Sequence, residues 1–549
     1  MTPETLAEKV LSATRAAFAD LGLDATALPA ETAVERPRNP EHGDYASTIA
    51  LQVAKKAGTN PRALAQEIAA RLAELDGVAK TDIAGPGFLN ITLDAAASGG
   101  IAGQIVIAGT AYGYNESMKG AHVNLEFVSA NPTGPVHAGG TRWAAVGDAL
   151  ARVMRASGAK VTSEYYFNDA GSQIDRFANS LLARAKGEPV PEDGYGGAYV
   201  DEIATEVLNR HPDALESENP REVFRVAGVE LMFNEIKTTL ADFGTHFDVY
   251  FNEKELHDQG ELDAALERLS KLGHVFEAEG ATWLRTTEFG DDKDRVLKKS
   301  DGSWTYFAAD CAYYLNKRER GFGKLVLMLG ADHHGYVGRM QAISRAFGDE
   351  PGTLEILIGQ MVNLLQEGRP VRMSKRMGTV VTLEDVVEAI GVDATRYALT
   401  RYSADSPIDL DIDLWTKHGN ENPVYYVQYA HSRTHGVLRN AAERGVAKGD
   451  GYDASLLTHP RESDLLKALA EFPATVATAA ELREPHRVAR YAEELAGAYH
   501  RFQHDCRVLP VGDEPQTPTG RARLWLVDAT RVVLANALDL LGVSAPERM

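Results

Sequence analysis

Ala130-Asn131-Pro132-Thr133-Gly134-Pro135-Val136-His137-Ala138-Gly139-Gly140 is the stretch on which the reading of this chain turns. Ahead of it, Val123, Leu125, Phe127 and Val128 form an apolar run of the length of a buried strand. Behind it, Trp143, Val146, Leu150 and Met154 recur at helical spacing. Proline and glycine punctuate the residues between, so they read as a loop. A strand, a glycine loop and a helix N-terminus in that order form a nucleotide-binding unit of a parallel sheet, because free backbone N–H groups and the helix dipole face an anion. A second unit begins at Lys324: Leu325 to Leu329 is the strand, Gly330-Ala331-Asp332-His333-His334-Gly335 the loop, and Val337 to Phe347 the helix.

Working outward, 549 residues exceed one ordinary core, and the chain divides into three parts. Up to about residue 110, Leu6, Val10, Ala13 and Ala17 stand at helical spacing and Asn60-Pro61 caps a second helix. Gly85-Pro86-Gly87 then turns into an alternating strand at Phe88, Asn90, Ile91 and Leu93. This is a small α/β domain. Residues 111–405 carry the Rossmann-type parallel sheet, with a polar, acidic stretch at about 175–295 that reads as an insertion between its halves. From 406 to 549 the apolar repeats around Leu465, Val488 and Leu524 predict an all-α helical bundle. Its first helix is capped by Asn422 with Pro423 at the first helical position. The fold class expected is multidomain α/β.

The bulk composition, 44% hydrophobic and 25% charged, is ordinary for a globular protein and excludes a disordered or fibrous chain. No window is apolar enough to span a membrane. Met1 to Lys9 carries Glu4 and Glu8 where a secretory signal has a basic patch, so cytoplasmic residence is the expectation. Cys311 and Cys506 stand far apart, and they form neither a disulfide framework nor a zinc site. With 57 basic against 78 acidic residues the net charge is −21, so contact with a nucleic acid requires Lys and Arg concentrated on one face. His333 and His334 have no third ligand at suitable spacing, and no metal site is read there.

The opening loop resembles the His-x-Gly-His signature of class I aminoacyl-tRNA synthetases, in the Asn-Pro-Thr-Gly-Pro setting of the arginyl-tRNA synthetases. Glycines such as Gly139 let adenine and phosphates approach the backbone, and the imidazole of His137 steadies charge on a pentacoordinate α-phosphate. Gly140 departs from the pattern, standing where the signature has its second His. His333 or His334, beside Asp332, is the candidate to cover that role. Arg372-Met373-Ser374-Lys375-Arg376 resembles the Lys-Met-Ser-Lys-Ser loop, whose central Lys neutralises the leaving pyrophosphate. Arginine needs acceptors for a forked cation. Glu126 and Asn131 near the first loop, with Tyr306 and Asp310 in Tyr-x-x-x-Asp, match the family's positions, although each acid alone is more often a cap or a solvated charge.

Gly43-Asp44-Tyr45-Ala46 and Gly85 to Asn90 resemble motifs of the family's N-terminal domain, which binds the tRNA elbow, with Phe88 and Asn90 as contacts. Asn422 to Arg433 resembles the first helix of its anticodon-binding domain. Tyr426, Tyr429 and Arg433 there suit stacking on bases, or else form an aromatic core stripe.

The resemblance covers essentially the whole chain. It implies ATP-dependent attachment of L-arginine to tRNA(Arg) through an arginyl-adenylate, with ATP arriving as its Mg²⁺ complex, no structural metal, and a monomer. The ATP residues implied are His137, Gly139, Gly140, Asp332, His333, His334, Met373, Ser374 and Lys375, of which His137 and Lys375 are catalytic. Two alternatives stay open: a weak relative that only binds tRNA or arginine, motivated by Gly140, and a class I synthetase for another amino acid. Lys375→Ala is expected to slow adenylate formation at least about tenfold with arginine affinity little changed, as read by rapid quench. An unaltered turnover removes Lys375 from the mechanism.

Overall fold

The computed structural model describes residues 3–35, 37, 42–93, 100–371, 381–512 and 514–549. In the N-terminal part, helices Pro3–Asp20, Ile49–Ala57 and Pro61–Ala73 cover a three-stranded antiparallel sheet. Its strands are β1 (Tyr45–Ser47), β2 (Val78–Ala84) and β3 (Phe88–Leu93), in the order β1-β3-β2. Leu6, Val10 and Ala17 face inward at helical spacing, and the Asn60 side chain accepts the N–H groups of Arg62 and Ala63 at the start of its helix. Along β3, Leu89, Ile91 and Leu93 enter the core while Phe88 and Asn90 share the opposite face.

Gly43-Asp44 is a joint between domains. Gly43 has φ +89°, and a Cβ there would lie 2.8 Å from the Ile91 carbonyl oxygen. This lets Asp44 turn its carboxylate to accept the Leu93 N–H at 2.7 Å and pair with Lys467, 2.5 Å away on helix Pro460–Ala470.

The central sheet has five strands, whose neighbours pair in parallel. In chain order the first three are β4 (His122–Glu126), β5 (Lys160–Phe167) and β6 (Val249–Asn252). A separate antiparallel sheet of β7 (Val275–Ala278), β8 (Ala281–Leu284) and β9 (Arg295–Lys298) precedes β10 (Lys324–Gly330) and β11 (Leu354–Gly359). The spatial order is β11-β10-β4-β5-β6. From β4 the chain crosses by helix Ala138–Ala156 to β5 on one side. From β10 it crosses by helix Val337–Ala346 to β11 on the other. The loops leaving β4 and β10 therefore diverge, and a crevice opens at the carboxyl ends of these two strands.

The stretch at 175–295 differs from its sequence reading. It supplies β6, the sheet's edge strand, and Phe177, Tyr199, Phe224 and Met232 join the same core as the sheet. Its helices are amphipathic, so polar outer faces hide buried inner ones when hydropathy is averaged. The part around β7 to β9 packs in a distinct cluster with helix Tyr306–Glu319.

After β11, β12 (Val362–Gln366) lies between β13 (Arg369–Pro370) and β14 (Ile408–Asp411). The C-terminal helices Pro423–Glu443, Pro460–Ala470, Phe472–Glu481, His486–Asp505 and Pro518–Leu540 share one continuous core with the central sheet. Pro423 does open its helix, but Asn422 makes no side-chain cap. Its amide donates instead to the carbonyls of Trp415 and Lys417 in the turn that leads into the helix. No helix among the described residues is long and apolar enough to cross a membrane.

Arg396, fully buried on helix Val392–Thr400, joins three regions. It pairs with Asp148 of helix Ala138–Ala156, and donates to the Phe243 carbonyl at 3.0 Å and the Leu541 carbonyl at 3.2 Å. Arg396→Ala leaves buried acceptors without their donor. It is expected to destabilise the protein by about 3 kcal/mol in denaturant unfolding.

Candidate active site

The crevice at β4 and β10 is a cleft of about 1180 Å³ lined by residues of both strands and of the loops that follow them. As the chain leaves β4, Val128 (φ 70°) and Ser129 (φ 41°) occupy the left-handed region, which is costly for a β-branched residue. Hydrogen bonds hold them there. The Ser129 hydroxyl accepts the Tyr166 N–H and donates to Glu126, both at 3.1 Å. The Tyr165 hydroxyl accepts the Ala130 N–H at 3.1 Å and donates to the Ala130 carbonyl at 2.7 Å. Asn131 lines the cleft with its amide already engaged, donating to Gln173 at 2.9 Å and accepting the Asn168 N–H at 3.0 Å.

His137 is the N-cap of helix Ala138–Ala156: its Nδ1 accepts the N–H groups of Gly139 at 3.1 Å and Gly140 at 3.3 Å. Burial lowers its pKa, against the opposing charge of Asp332, so the ring is neutral at pH 7. With Nδ1 accepting, the proton sits on Nε2. A Cβ at Gly140 would approach Val136 Cγ1 to 3.0 Å, so a side chain at this departure from the signature needs Val136 to yield. His333 and Asp332 line the cleft, 3.3 Å apart, whereas His334 is exposed and outside the lining.

Met373, Ser374 and Lys375 lie outside the described residues, but the chain on either side is fixed by backbone hydrogen bonds, downstream to the signature loop itself. The Val371 N–H bonds to the Leu364 carbonyl at 2.7 Å. Beyond the segment, Ala138 donates to Val381 at 2.9 Å and Leu383 to Val136 at 2.7 Å. Arg142, fully buried, donates to the carbonyls of Gln360 at 2.8 Å and Ser403 at 2.7 Å, which bolts the β11–β12 turn to the signature helix. Burial lowers its pKa to about 10.

The carboxylates stand differently. Asp310 lines the cleft and accepts a hydrogen bond from Tyr336, and burial raises its pKa to about 7. Glu126 also lines the cleft but is occupied, with Lys317 Nζ 2.5 Å from its carboxylate and both side chains 7% exposed. Deeper in, Glu164 takes both guanidinium nitrogens of Arg320 at 2.7 and 2.8 Å, the Tyr313 hydroxyl at 2.5 Å and the Asn124 amide at 3.0 Å. Burial acts to raise its pKa, but Arg320, Lys317 and Tyr313 outweigh it and the net value is lowered.

Tyr306 stands apart: it begins the helix that carries Asp310, but its side chain is 72% exposed and outside the cleft lining, while Phe307, Ala308 and Ala309 of the same turn are buried. Tyr336 is the tyrosine beside Asp310. The sequence reading missed Lys317, Tyr313 and Tyr336, although helical spacing from Asp310 could have picked out the first two.

Elsewhere, Phe88 is exposed and its face-mate Asn90 is 8% exposed in the central strand of its sheet. Tyr426 and Tyr429 are half-buried around His500, Tyr429 stacks on Tyr425, and exposed Arg433 lies 5.6 Å from the Tyr429 ring centre. Among the described residues no group of three or more His, Cys, Asp or Glu side chains could hold a metal ion.

Three family descriptions match in chain order: "Arginyl tRNA synthetase N terminal domain" over residues 4–93, "tRNA synthetases class I (R), catalytic domain" over 200–400, and "DALR anticodon binding domain" over 427–549. The parallel sheet, the cleft at its switch point and the catalytic-domain match define a class I aminoacyl-tRNA synthetase. The arginine--tRNA ligase of Kineococcus radiotolerans is 62% identical over 554 residues, covering 100% of both chains. A putative arginyl-tRNA synthetase structure from Campylobacter jejuni is 34% identical with TM-score 0.76, over 83% of this chain and 100% of that one. The Thermus thermophilus arginyl-tRNA synthetase, 24% identical over 100% of both chains with TM-score 0.77, shares the fold. The chain belongs to the arginyl-tRNA synthetase family.

His137 caps as well as lines. His137→Asn keeps an acceptor for the helix N–H groups and is expected to leave stability nearly unchanged, whereas His137→Ala is expected to lower it by about 1 kcal/mol in denaturant unfolding.

Proposed function

We propose that the chain joins L-arginine to tRNA(Arg) in the cleft, with Asp310 as the acceptor of the substrate guanidinium. In the first step a carboxylate oxygen of arginine attacks the α-phosphorus of ATP, the bond to the bridging oxygen of the β-phosphate breaks, and pyrophosphate leaves. In the second, a terminal ribose hydroxyl of the tRNA attacks the arginyl carbonyl and AMP leaves. Mg²⁺ enters with the ATP, and its charge acts on the phosphates.

The observation that carries arginine is a half-buried, desolvated carboxylate in the cleft, Asp310, which accepts a hydrogen bond from a phenol and, among the described residues, forms no ion pair, with Arg339 acting only through its nearby charge. A guanidinium offers the forked donors that such a carboxylate accepts, and it removes the penalty of burying the charge alone. Tyr336, rather than Tyr306, accompanies Asp310. Glu126 and Asn131, both held by protein partners, orient the amino-acid end. His137, with its proton on Nε2, donates to the α-phosphate as it becomes pentacoordinate. The N–H groups and dipole of helix Ala138–Ala156 face the same charge. His333 supplies an imidazole in the absence of one at Gly140, and Lys375 neutralises the departing pyrophosphate.

For the tRNA, residues 1–110 take the elbow through the Phe88 and Asn90 face, and residues 406–549 read the anticodon with Tyr426, Tyr429 and Arg433. Tyrosine faces suit stacking on splayed bases.

ATP–pyrophosphate exchange across the amino acids, with and without tRNA, tests the reading. Exchange is expected with arginine alone among them, and background exchange or preference for a neutral amino acid overturns it. Asp310 sets a pH dependence whose sign follows from its raised pKa. Only the ionised carboxylate takes the guanidinium, so below about pH 7 arginine must displace a proton. The KM for arginine is expected to rise about tenfold per pH unit below that point and to level off above it, with the KM for ATP flat. Asp310→Asn is expected to raise the arginine KM by one to two powers of ten, roughly the worth of a charged hydrogen bond, and to abolish this pH dependence.

A further inference from the structure

The helix that carries Asp310 also carries Tyr313 and Lys317 on its inner face. Lys317 is the one buried lysine among the described residues, and it lines the cleft proposed above to receive a cation. It lies 2.5 Å from the Glu126 carboxylate and 4.3 Å from the centre of the Tyr313 ring. The Tyr313 hydroxyl is in turn fixed on Glu164. A desolvated ammonium placed this way cannot leave Glu126 without losing its ion pair and its ring contact together.

Without Lys317, the cleft would present two like-charged buried carboxylates, Glu126 and Asp310, and a single guanidinium could not satisfy both. Like charges in one site raise each other's pKa, so one would protonate and the other would compete for the substrate. The groups facing Asp310 are Tyr336 and Arg339 from the segment after β10, Glu253 from helix Glu253–Asp258, Glu126 from β4 and Tyr166 from β5. Those facing Lys317 are Glu126, Tyr313 and Glu164.

We propose that Lys317 is a positioning residue for the amino-acid substrate: as a resident cation it neutralises Glu126 and locks its orientation, leaving Asp310 as the carboxylate that selects a guanidinium. This rests on the reading of Asp310 given above. Glu126 thus serves as an oriented hydrogen-bond acceptor beside the substrate's amino-acid end, and the site binds one guanidinium in one place.

The test measures arginine-dependent ATP–pyrophosphate exchange by the full-length enzyme across pH 5.5 to 8.5, the working window around neutrality. Lys317→Met is expected to raise the arginine KM at least about tenfold with the ATP KM within about twofold. The pH at which the arginine KM begins to rise is expected to move alkaline by about half a unit or more, because Glu126 now repels charge on Asp310. Glu126→Gln leaves the ammonium uncompensated beside Asp310 and is expected to move that onset the opposite way. The double variant, uncharged at both positions, returns it towards the parent, and Lys317→Arg, which preserves the ion pair, leaves it in place. If Lys317→Met does not fold, the acid shift of Glu126→Gln and its reversal in the double variant carry the test. An onset that stays put in Lys317→Met, or in Glu126→Gln where the former is not folded, overturns the proposal. So does a parallel rise of both KM values without a pH shift, the mark of a merely structural lysine. Asp310→Asn separates the two levels. If it leaves the arginine KM unchanged, the assignment of the guanidinium site has failed. If it raises the KM while the onset is unmoved in the Lys317 and Glu126 variants, only the role of Lys317 has failed.

Discussion

A carboxylate taken out of water must meet a cation or surrender its charge, and the cleft is organised around that constraint. Besides the exposed Asp332, three acids drawn out of water lie on or under it. Glu164 is met in full, by Arg320 through two hydrogen bonds and by the hydroxyl of Tyr313. Glu126 is met by Lys317. Asp310 accepts a hydrogen bond from a phenol and feels the charge of Arg339 nearby, yet burial outweighs both and raises its pKa to about 7. An acid whose folded value is raised costs the protein stability as pH climbs from the unfolded value through the folded one. Above neutrality Asp310 therefore carries a charge that destabilises the fold, and any cation bound beside it would relieve that cost.

The loop after β4 is shaped by backbone and neutral hydroxyls rather than by side-chain charge. The chain leaves β4 through two residues in the left-handed region, and hydroxyls of Ser129 and Tyr165 hold that exit in shape. The helix that follows begins on His137, so one imidazole serves two purposes: its Nδ1 ends the run of unpaired helix N–H groups, and its Nε2 is left with the proton. The strand-like pairing of Val136 and Ala138 with the segment at Val381 to Leu383 brings the far side of the lysine-bearing stretch against this same loop. The close approach of Val136 to Gly140 accounts for a small residue there in this packing.

Long-range joints keep the cleft in register with the flanking parts. Arg396 ties the signature helix to the end of helix Pro220–Asp242 and to the C-terminus, and Lys467 reaches from the helical region to Asp44 of the N-terminal sheet. Asn536, on the last long helix, donates to the carbonyls of Gly109 and Tyr112 just ahead of the central sheet. Arg396 and Asn536 make these contacts as buried polar groups and Lys467 and Asp44 as half-buried ones, so they act as registration points between the parts.

By itself the sequence determined the sheet-loop-helix units, the helical C-terminal region and the types of residue that line the cleft. Those features follow from local periodicity, from proline and glycine, and from caps such as Asn60, all of which act over a few residues. It also made the first loop and Asp310 legible as candidates. What it left open was partnership. Whether Glu126 is free or bound, whether Tyr306 or Tyr336 stands beside Asp310, and whether β6 belongs to the main sheet all depend on residues brought from distant positions. A helix face defined by spacing does not say which turn of that face meets solvent, which is why Tyr306 and Asp310 share a helix but not an environment. The charge state of a carboxylate is set by its burial and its nearest cation. Both are properties of the packed structure, so only the tertiary fold could decide that Glu126 is paired with a cation in contact while Asp310 is bonded to a phenol.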